Sequence, residues 1–191
     1  MKTYIIDNGS KYIAELVRIL DRLKPVLINY DSIDHSSIRD DDMIVLSGGH
    51  GYPVLWHDAE YRKEIDIIKN HTGPIIGICL GFELVSHVYG SHLHQLIQRR
   101  KGMVTIIPAS KNSIVTDMHE LQVYENHNWS VQKLKLPLIA LARSSDGIEV
   151  MKHISKPIYG MQFHPEGKEG SGSLILENIL LDILPIQYKL L

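Results

Sequence analysis

The run from Pro74 to Val88 constrains this chain more than any other stretch. Its first part, Pro74-Ile75-Ile76-Gly77-Ile78, is a short apolar run that reads as a buried strand. Its second part, Phe82-Glu83-Leu84-Val85-Ser86-His87-Val88, reads as a helix. Between them lies Gly77-Ile78-Cys79-Leu80-Gly81. Gly-x-Cys-x-Gly at a strand-to-helix junction has the mechanical form of a nucleophile elbow, with Cys in place of Ser. The turn is tight, and glycines two residues to either side relieve its crowding. The sulfur is thereby held up at the C-terminal edge of a sheet. The helix N-terminus beneath it is expected to favour the thiolate. A lone cysteine is usually a small buried hydrophobe, so this reading needs a base and an oxyanion site elsewhere in the chain.

The first ninety residues alternate strand and helix. Strands are expected at Thr3–Asp7, Val26–Asn29, Met43–Leu46 and Ile75–Cys79. Ile13, Leu16, Val17, Leu20 and Leu23 form a helical apolar stripe, and further helical segments lie near Asp58–Lys69 and after Leu80. This alternation implies a parallel sheet covered on both faces. From about His92 to Gln162 the pattern becomes strand-rich, with candidates at Met103–Ile107, Leu121–Tyr124, Leu138–Leu141 and Ile148–Lys152. A strand over Pro157–Phe163 follows, and Leu174, Ile175, Ile179, Leu180 and Ile183 mark a final helix. The expected fold class is α/β: a mostly parallel central sheet with helices on both faces, plus an antiparallel strand-rich C-terminal half. Residues 1–191 are read as a single domain, long enough for a substantial core.

With eleven histidines in the chain, position alone identifies the base. The Pro157–Phe163 strand ends in His164-Pro165-Glu166-Gly167. Residues i and i+2 of an extended segment point to the same side, and Pro165 biases His164 towards that conformation. The Glu166 carboxylate can therefore set the tautomer of the His164 imidazole, as the acid of a Ser-His-Asp triad does. The alternative is a turn whose His and Glu are merely solvated. The oxyanion site is sought in Met43-Ile44-Val45-Leu46-Ser47-Gly48-Gly49-His50-Gly51, a strand running into glycines. Backbone N–H groups there, with that of Leu80 after the nucleophile, could bind a developing oxyanion. A phosphate loop fails on residues: no Gly-Lys-Ser/Thr follows, and the spacing is not Gly-x-Gly-x-x-Gly.

The order of Gly-Gly, Gly-Ile-Cys-Leu-Gly and Phe-His-Pro-Glu resembles the class I glutamine amidotransferases over nearly the whole chain. Ile6-Asp7-Asn8-Gly9 looks like the family's opening, and Lys156–Glu166 looks especially like the glutaminase part of GMP synthase. The resemblance implies a flavodoxin-like glutaminase fold and hydrolysis of the glutamine side-chain amide to glutamate and ammonia. It makes Cys79 the nucleophile, His164 the general base and acid, and Glu166 its orienting group. Gly48, Gly49 and Leu80 fall at the oxyanion site, and His127 in Asn126-His127-Asn128-Trp129 looks like the loop near the substrate α-carboxylate. The competing reading of that segment is a polar turn with Trp129 packed beneath it. The implied partners are glutamine and a separate synthetase subunit that accepts ammonia, and no cofactor is implied.

One position departs from the pattern. The family usually carries Gln four residues after the nucleophile, where this chain has Glu83. Cys79 through Glu83 matches the Cys-Leu-Gly-Phe-Glu of many γ-glutamyl hydrolases. A stand-alone γ-glutamyl hydrolase is therefore the second expectation, and a non-catalytic binding or regulatory protein of the same fold the third. His50 also stands where many relatives have Pro.

The remaining features are bland. A net charge of −2 with interspersed signs gives no nucleic-acid footprint. Arg99-Arg100-Lys101, the one compact basic cluster, is expected at a solvated hairpin end. His92 and His94 share a strand face, but nothing nearby completes a zinc set, so no metal is expected. A single cysteine, no membrane-length apolar run and no signal peptide point to a cytoplasmic protein.

Overall fold

The structure, a computed structural model of the chain, describes residues 1–109, 114–115, 121–167 and 170–184. Its elements run β1 (Thr3–Asn8), α1 (Ile13–Ile19), β2 (Val26–Asn29), β3 (Met43–Gly49), α2 (Arg62–Asn70), β4 (Ile75–Ile78), α3 (Leu80–Val88), β5 (Leu93–Pro108), β6 (Leu121–Val131), β7 (Leu138–Arg143), β8 (Ile148–His153), β9 (Ile158–Met161) and α4 (Gly172–Ile183). The strands order as β2-β1-β3-β4-β9-β8-β7-β5-β6. The first five pair in parallel, and the others pair antiparallel. The parallel half thus has the doubly wound order in which the strands' carboxyl ends form the binding edge. β3, β4 and β9 lie side by side there, so the residues that follow each of them are brought together from distant parts of the sequence.

Strand alternation divides the core between the two sheet faces. Ile5, Val45, Ile76 and Ile78 point to one face, where Leu16 of α1 and Ile175, Leu176 and Ile179 of α4 cover them. Tyr4, Ile6, Ile44, Leu46 and Ile75 point to the other, beneath Ile65 and Ile68 of α2 and Phe82, Leu84 and Val85 of α3. β1, β3 and β4 are buried along nearly their whole lengths, as strands covered on both faces must be.

The elements expected from the sequence are present, with changed limits. The helix near Asp58–Lys69 begins only at Arg62. The stripe ending at Leu23 breaks after Ile19, and Asp21–Leu23 is a 3₁₀ turn. The antiparallel strands are longer: β5 runs for 16 residues and β6 for 11. Asn126–Trp129 is therefore strand, not a loop or turn, because it pairs with β5 across Gln95, Arg100 and Lys101. For the same reason Arg99-Arg100-Lys101 is not a hairpin end. Arg100 instead pairs with both carboxylate oxygens of Asp146. His92 and His94 are exposed. Among the described residues no group of three metal-ligating side chains is present, and no helix is long and apolar enough to cross a membrane.

Candidate active site

β4 ends at Ile78, and Cys79 is the residue that turns the chain into α3. Its φ is 50° and its ψ −101°, a region that costs an L-residue with a side chain on the order of 1–3 kcal/mol. Backbone bonds and close packing hold it there. The Cys79 N–H continues the ladder to the Met161 carbonyl at 2.8 Å, and the Glu83 N–H closes the first helical turn on the Cys79 carbonyl at 3.0 Å. The flanking glycines leave no room for alternatives. A Cβ at Gly77 would lie 2.5 Å from the Gly81 carbonyl oxygen, and one at Gly81 would lie 2.4 Å from that of Leu46.

The chain leaving β9 brings His164 to the same place. Its N–H donates to the Tyr124 carbonyl of β6 at 2.8 Å, so β6 curls back across the sheet's carboxyl edge. A Cβ placed on Gly48 would sit 2.9 Å from His164 Cε1 and 3.4 Å from Cys79 Cβ. Gly48 is thus the contact point between the two side chains. His164 Nδ1 lies 2.9 Å from Glu166 Oε1, with both side chains at most 5% exposed. When the ring is neutral, Nδ1–H donates to the carboxylate and Nε2 keeps its lone pair. The ring of Tyr12 packs against His164 with centroids 4.8 Å apart. Nothing in the sequence pattern marked Tyr12.

Beside Cys79 opens a cavity of about 420 Å³, lined among others by Gly49, Leu80, Glu83, His127 and Trp129, with Lys11 and Arg99 as cations. Cys79, Gly49, Leu80, Glu83 and His127 therefore line one cavity, Gly48 lies against Cys79 and His164, and Glu166 reaches the site through His164. Lys11, Arg99 and Tyr12 are additions that only the tertiary arrangement supplies.

The electrostatics differ from expectation at the sulfur. Burial pushes the Cys79 thiol well above its ordinary range, and the nearby carboxyls of Glu83 and Glu166 push it further; the Leu80 N–H against the sulfur opposes them. The helix N-terminus does not win, because the sulfur is taken out of water. The resting group is a thiol. Burial also raises the Glu83 carboxyl to about 7, opposed by the charge of His127 and by a hydrogen bond. That bond comes from Gln162 Nε2, 3.2 Å from Glu83 Oε1. Gln162 is two residues before His164, a spacing that could have drawn attention to it.

His127 has both ring nitrogens engaged inside the protein. Nδ1 lies 2.7 Å from the Trp129 carbonyl and Nε2 lies 3.1 Å from Glu125 Oε2. A carbonyl can only accept, so Nδ1 donates, and Nε2 is turned onto the buried carboxyl of Glu125. No ring N–H of His127 is left for a ligand. What the ring offers the cavity is its face and the charge of its dyad.

A family model described as glutamine amidotransferase class-I matches residues 4–183. A glutamine-hydrolyzing GMP synthase subunit of Pyrococcus furiosus is 32% identical over 167 residues, covering 85% of this chain and 87% of the relative. Anthranilate synthase component 2 of Saccharolobus solfataricus is 31% identical over 191 residues, covering 93% and 97%. Among solved structures, one from Thermoplasma acidophilum, described as a GMP synthase subunit, superposes with a TM-score of 0.82 at 26% identity, covering 94% of this chain and 92% of the other. A glutamine amidotransferase from Thermotoga maritima shares the fold, with a TM-score of 0.72 at 15% identity over 95% and 81%. The curled parallel-to-antiparallel sheet, the cysteine elbow and these matches agree: the chain belongs to the class I glutamine amidotransferases.

Proposed function

We propose that this chain hydrolyses the side-chain amide of glutamine at Cys79 and passes the ammonia to a separate synthetase subunit. The observation that carries the reading is the buried His164–Glu166 pair, joined at 2.9 Å, set across Gly48 from a cysteine held at positive φ. His164 Nε2 takes the thiol proton as sulfur attacks the amide carbon. The oxyanion is received by backbone N–H groups at Gly49 and Leu80. His164 then gives its proton to the departing nitrogen, which leaves as ammonia. Water attacks the glutamyl thioester, His164 takes a proton from it, and the sulfur departs and is reprotonated. Glu166 keeps the tautomer throughout and stabilises the imidazolium.

The relatives named for GMP synthase and anthranilate synthase are parts of larger synthetases. Their names support an ammonia-accepting partner, with the GMP synthase type favoured by the Lys156–Glu166 segment. Glu83 favours a second reading. A carboxyl on the cavity wall suits a ligand that presents a further donor there, beyond the α-ammonium that glutamine also carries, as γ-glutamyl isopeptides could. The test is ammonia release from glutamine by the purified chain, with and without candidate synthetase subunits, against a panel of γ-glutamyl compounds. Turnover of glutamine that rises with one partner and vanishes in Cys79→Ser supports the proposal. Full glutaminase rate with no response to any partner, or activity confined to γ-glutamyl peptides, favours the hydrolase. An active serine variant, or labelling by a glutamine-like diazoketone away from Cys79, would sink both.

A further inference from the structure

β1 and β3 pair in register from Thr3↔Met43 to Ile6↔Leu46, then slip so that Asn8 faces Gly49. β3 therefore carries one extra residue at Ser47-Gly48, a bulge placed at the contact point between Cys79 and His164. Bulges of this kind re-aim backbone groups next to sites. The ladder bond lost at the slip is replaced by a side chain. The Asn8 N–H donates to Ser47 Oγ at 2.9 Å, and that hydroxyl donates in turn to the Gly48 carbonyl at 2.8 Å. Asn8 Nδ2 binds the Ser47 carbonyl at 3.1 Å and Glu64 Oε1 of α2 at 3.0 Å. All of these groups are buried: Ser47 and Glu64 are 0% exposed and Asn8 5%.

The peptide that links Gly48 to Gly49 is planar and trans, so its C=O and N–H point in opposite directions. Its carbonyl is tied inward to the Ser47 hydroxyl. Its N–H is thereby sent the other way, to the side on which Gly49 lines the cavity beside Cys79. Gly49 must itself be glycine for this packing, since a Cβ would lie 2.4 Å from the Asn8 carbonyl oxygen. Glycine at both positions makes the peptide free to rotate, so something else has to fix its direction. Among the described residues, Glu64 Oε2 and Asn8 Oδ1 are buried with no hydrogen-bond partner, which is costly for a purely structural contact.

We infer that Glu64, Asn8 and Ser47 form a buried relay from α2 that fixes the Gly48–Gly49 peptide with the Gly49 N–H facing the oxyanion position. The inference rests on the proposed thiol hydrolysis, within which these are positioning residues that never touch substrate. Glu64 sits on α2, the helix that covers the sheet face opposite α1 and α4. A displacement of α2 would therefore be felt at the peptide through Asn8.

The test compares Ser47→Ala, Glu64→Leu and Glu64→Gln with wild type. Ser47→Ala is expected to lower kcat for glutamine about 10- to 100-fold with KM unchanged, less than the loss of an oxyanion donor outright. Glu64→Leu should show a smaller loss of the same kind, and Glu64→Gln, which keeps an acceptor for Asn8 Nδ2, should restore it. Alkylation of Cys79 by iodoacetamide forms no oxyanion and should proceed at the wild-type rate in all of them. The N–H residual dipolar coupling of Gly49 should change in Ser47→Ala while those of β4 stay put. Unchanged kcat in Ser47→Ala, parallel losses of kcat and alkylation, or an unmoved Gly49 coupling would overturn the relay. If wild type fails to hydrolyse glutamine or any γ-glutamyl compound, the proposed function falls, and the Gly49 coupling alone decides the relay.

Discussion

Replacing Glu83 by Gln tests the electrostatics of the cavity in one residue. The carboxyl is 3% exposed, and burial raises it from 4.5 to about 7. His127 and Gln162 Nε2 face it and favour the ionised form, while its charge in turn bears on the Cys79 thiol and the Tyr61 hydroxyl. Between its unfolded and folded values the folded protein holds a proton that the unfolded chain has lost. Stability from this group therefore falls as pH rises from about 4.5 through about 7 and is then level. Integrating the two titrations gives a loss of about 2 to 3 kcal/mol between pH 5 and pH 8. Gln at this position accepts from Gln162 as Glu does but carries no charge, so it escapes the loss. Urea unfolding of both proteins at pH 5 and pH 8 measures this. The variant should gain on wild type by about 2 to 3 kcal/mol on going to pH 8, roughly a molar shift in midpoint. An equal difference between the two proteins at both pH values refutes the argument. In the same variant kcat/KM for glutamine should be unchanged or higher above pH 7, because the anion beside the sulfur is gone. A large loss for glutamine alone would show that Glu83 holds the substrate as a charge.

His164→Ala should lower turnover by several orders of magnitude and Glu166→Gln by less. Their effects should not multiply in the double variant, because residues of one unit fail together; kcat/KM of the three proteins checks this. Gly81→Ala should cost about 3 kcal/mol or more, or prevent folding, because its Cβ would meet the Leu46 carbonyl oxygen at 2.4 Å and backbone cannot give way; thermal unfolding reads it. Alkylation of Cys79 by iodoacetamide should still be climbing at pH 9, since the thiol is held well above its ordinary 9.0. A plateau near pH 6 would instead reveal a preformed thiolate.

The site was legible where local rules suffice. Gly77 and Gly81 announce a turn that only glycine permits, and His164-Pro165-Glu166 announces two side chains on one face. The end of a parallel strand is where such residues must meet, so the β3, β4 and β9 ends could be joined in advance. Three matters were not legible, for one physical reason. Asn126–Trp129 extends β6 beyond the Leu121–Tyr124 stretch that the sequence marks, because a run of polar residues carries no apolar period of two. That strand lies across the sheet's carboxyl edge, and its Tyr124 carbonyl anchors His164. The depth of burial at Cys79 is a property of this closure and has no local signature. Glu64 lies in Arg62-Lys63-Glu64, which looks like a solvated helix face. Only the packing of α2 on Asn8 shows that it is buried.

The raised thiol and the raised Glu83 carboxyl have one origin, and they act on each other. A sulfur that ionises beside an ionised Glu83 must bear the repulsion of that charge in a site with little water to screen it. Two things relieve it in the proposed reaction. Transfer of the thiol proton to His164 creates an imidazolium that Glu166 already holds at 2.9 Å. A ligand with an ammonium near Glu83 neutralises the second carboxylate at the moment of binding. Nucleophile activation is then coupled to occupancy of the cavity by the right charge. A neutral reagent gains nothing from that coupling, whereas an amino-acid amide supplies the missing cation itself. Gln in place of Glu83 would remove both the penalty and its relief. This chain carries the acid, so its cysteine is quieter when alone and more dependent on what it binds.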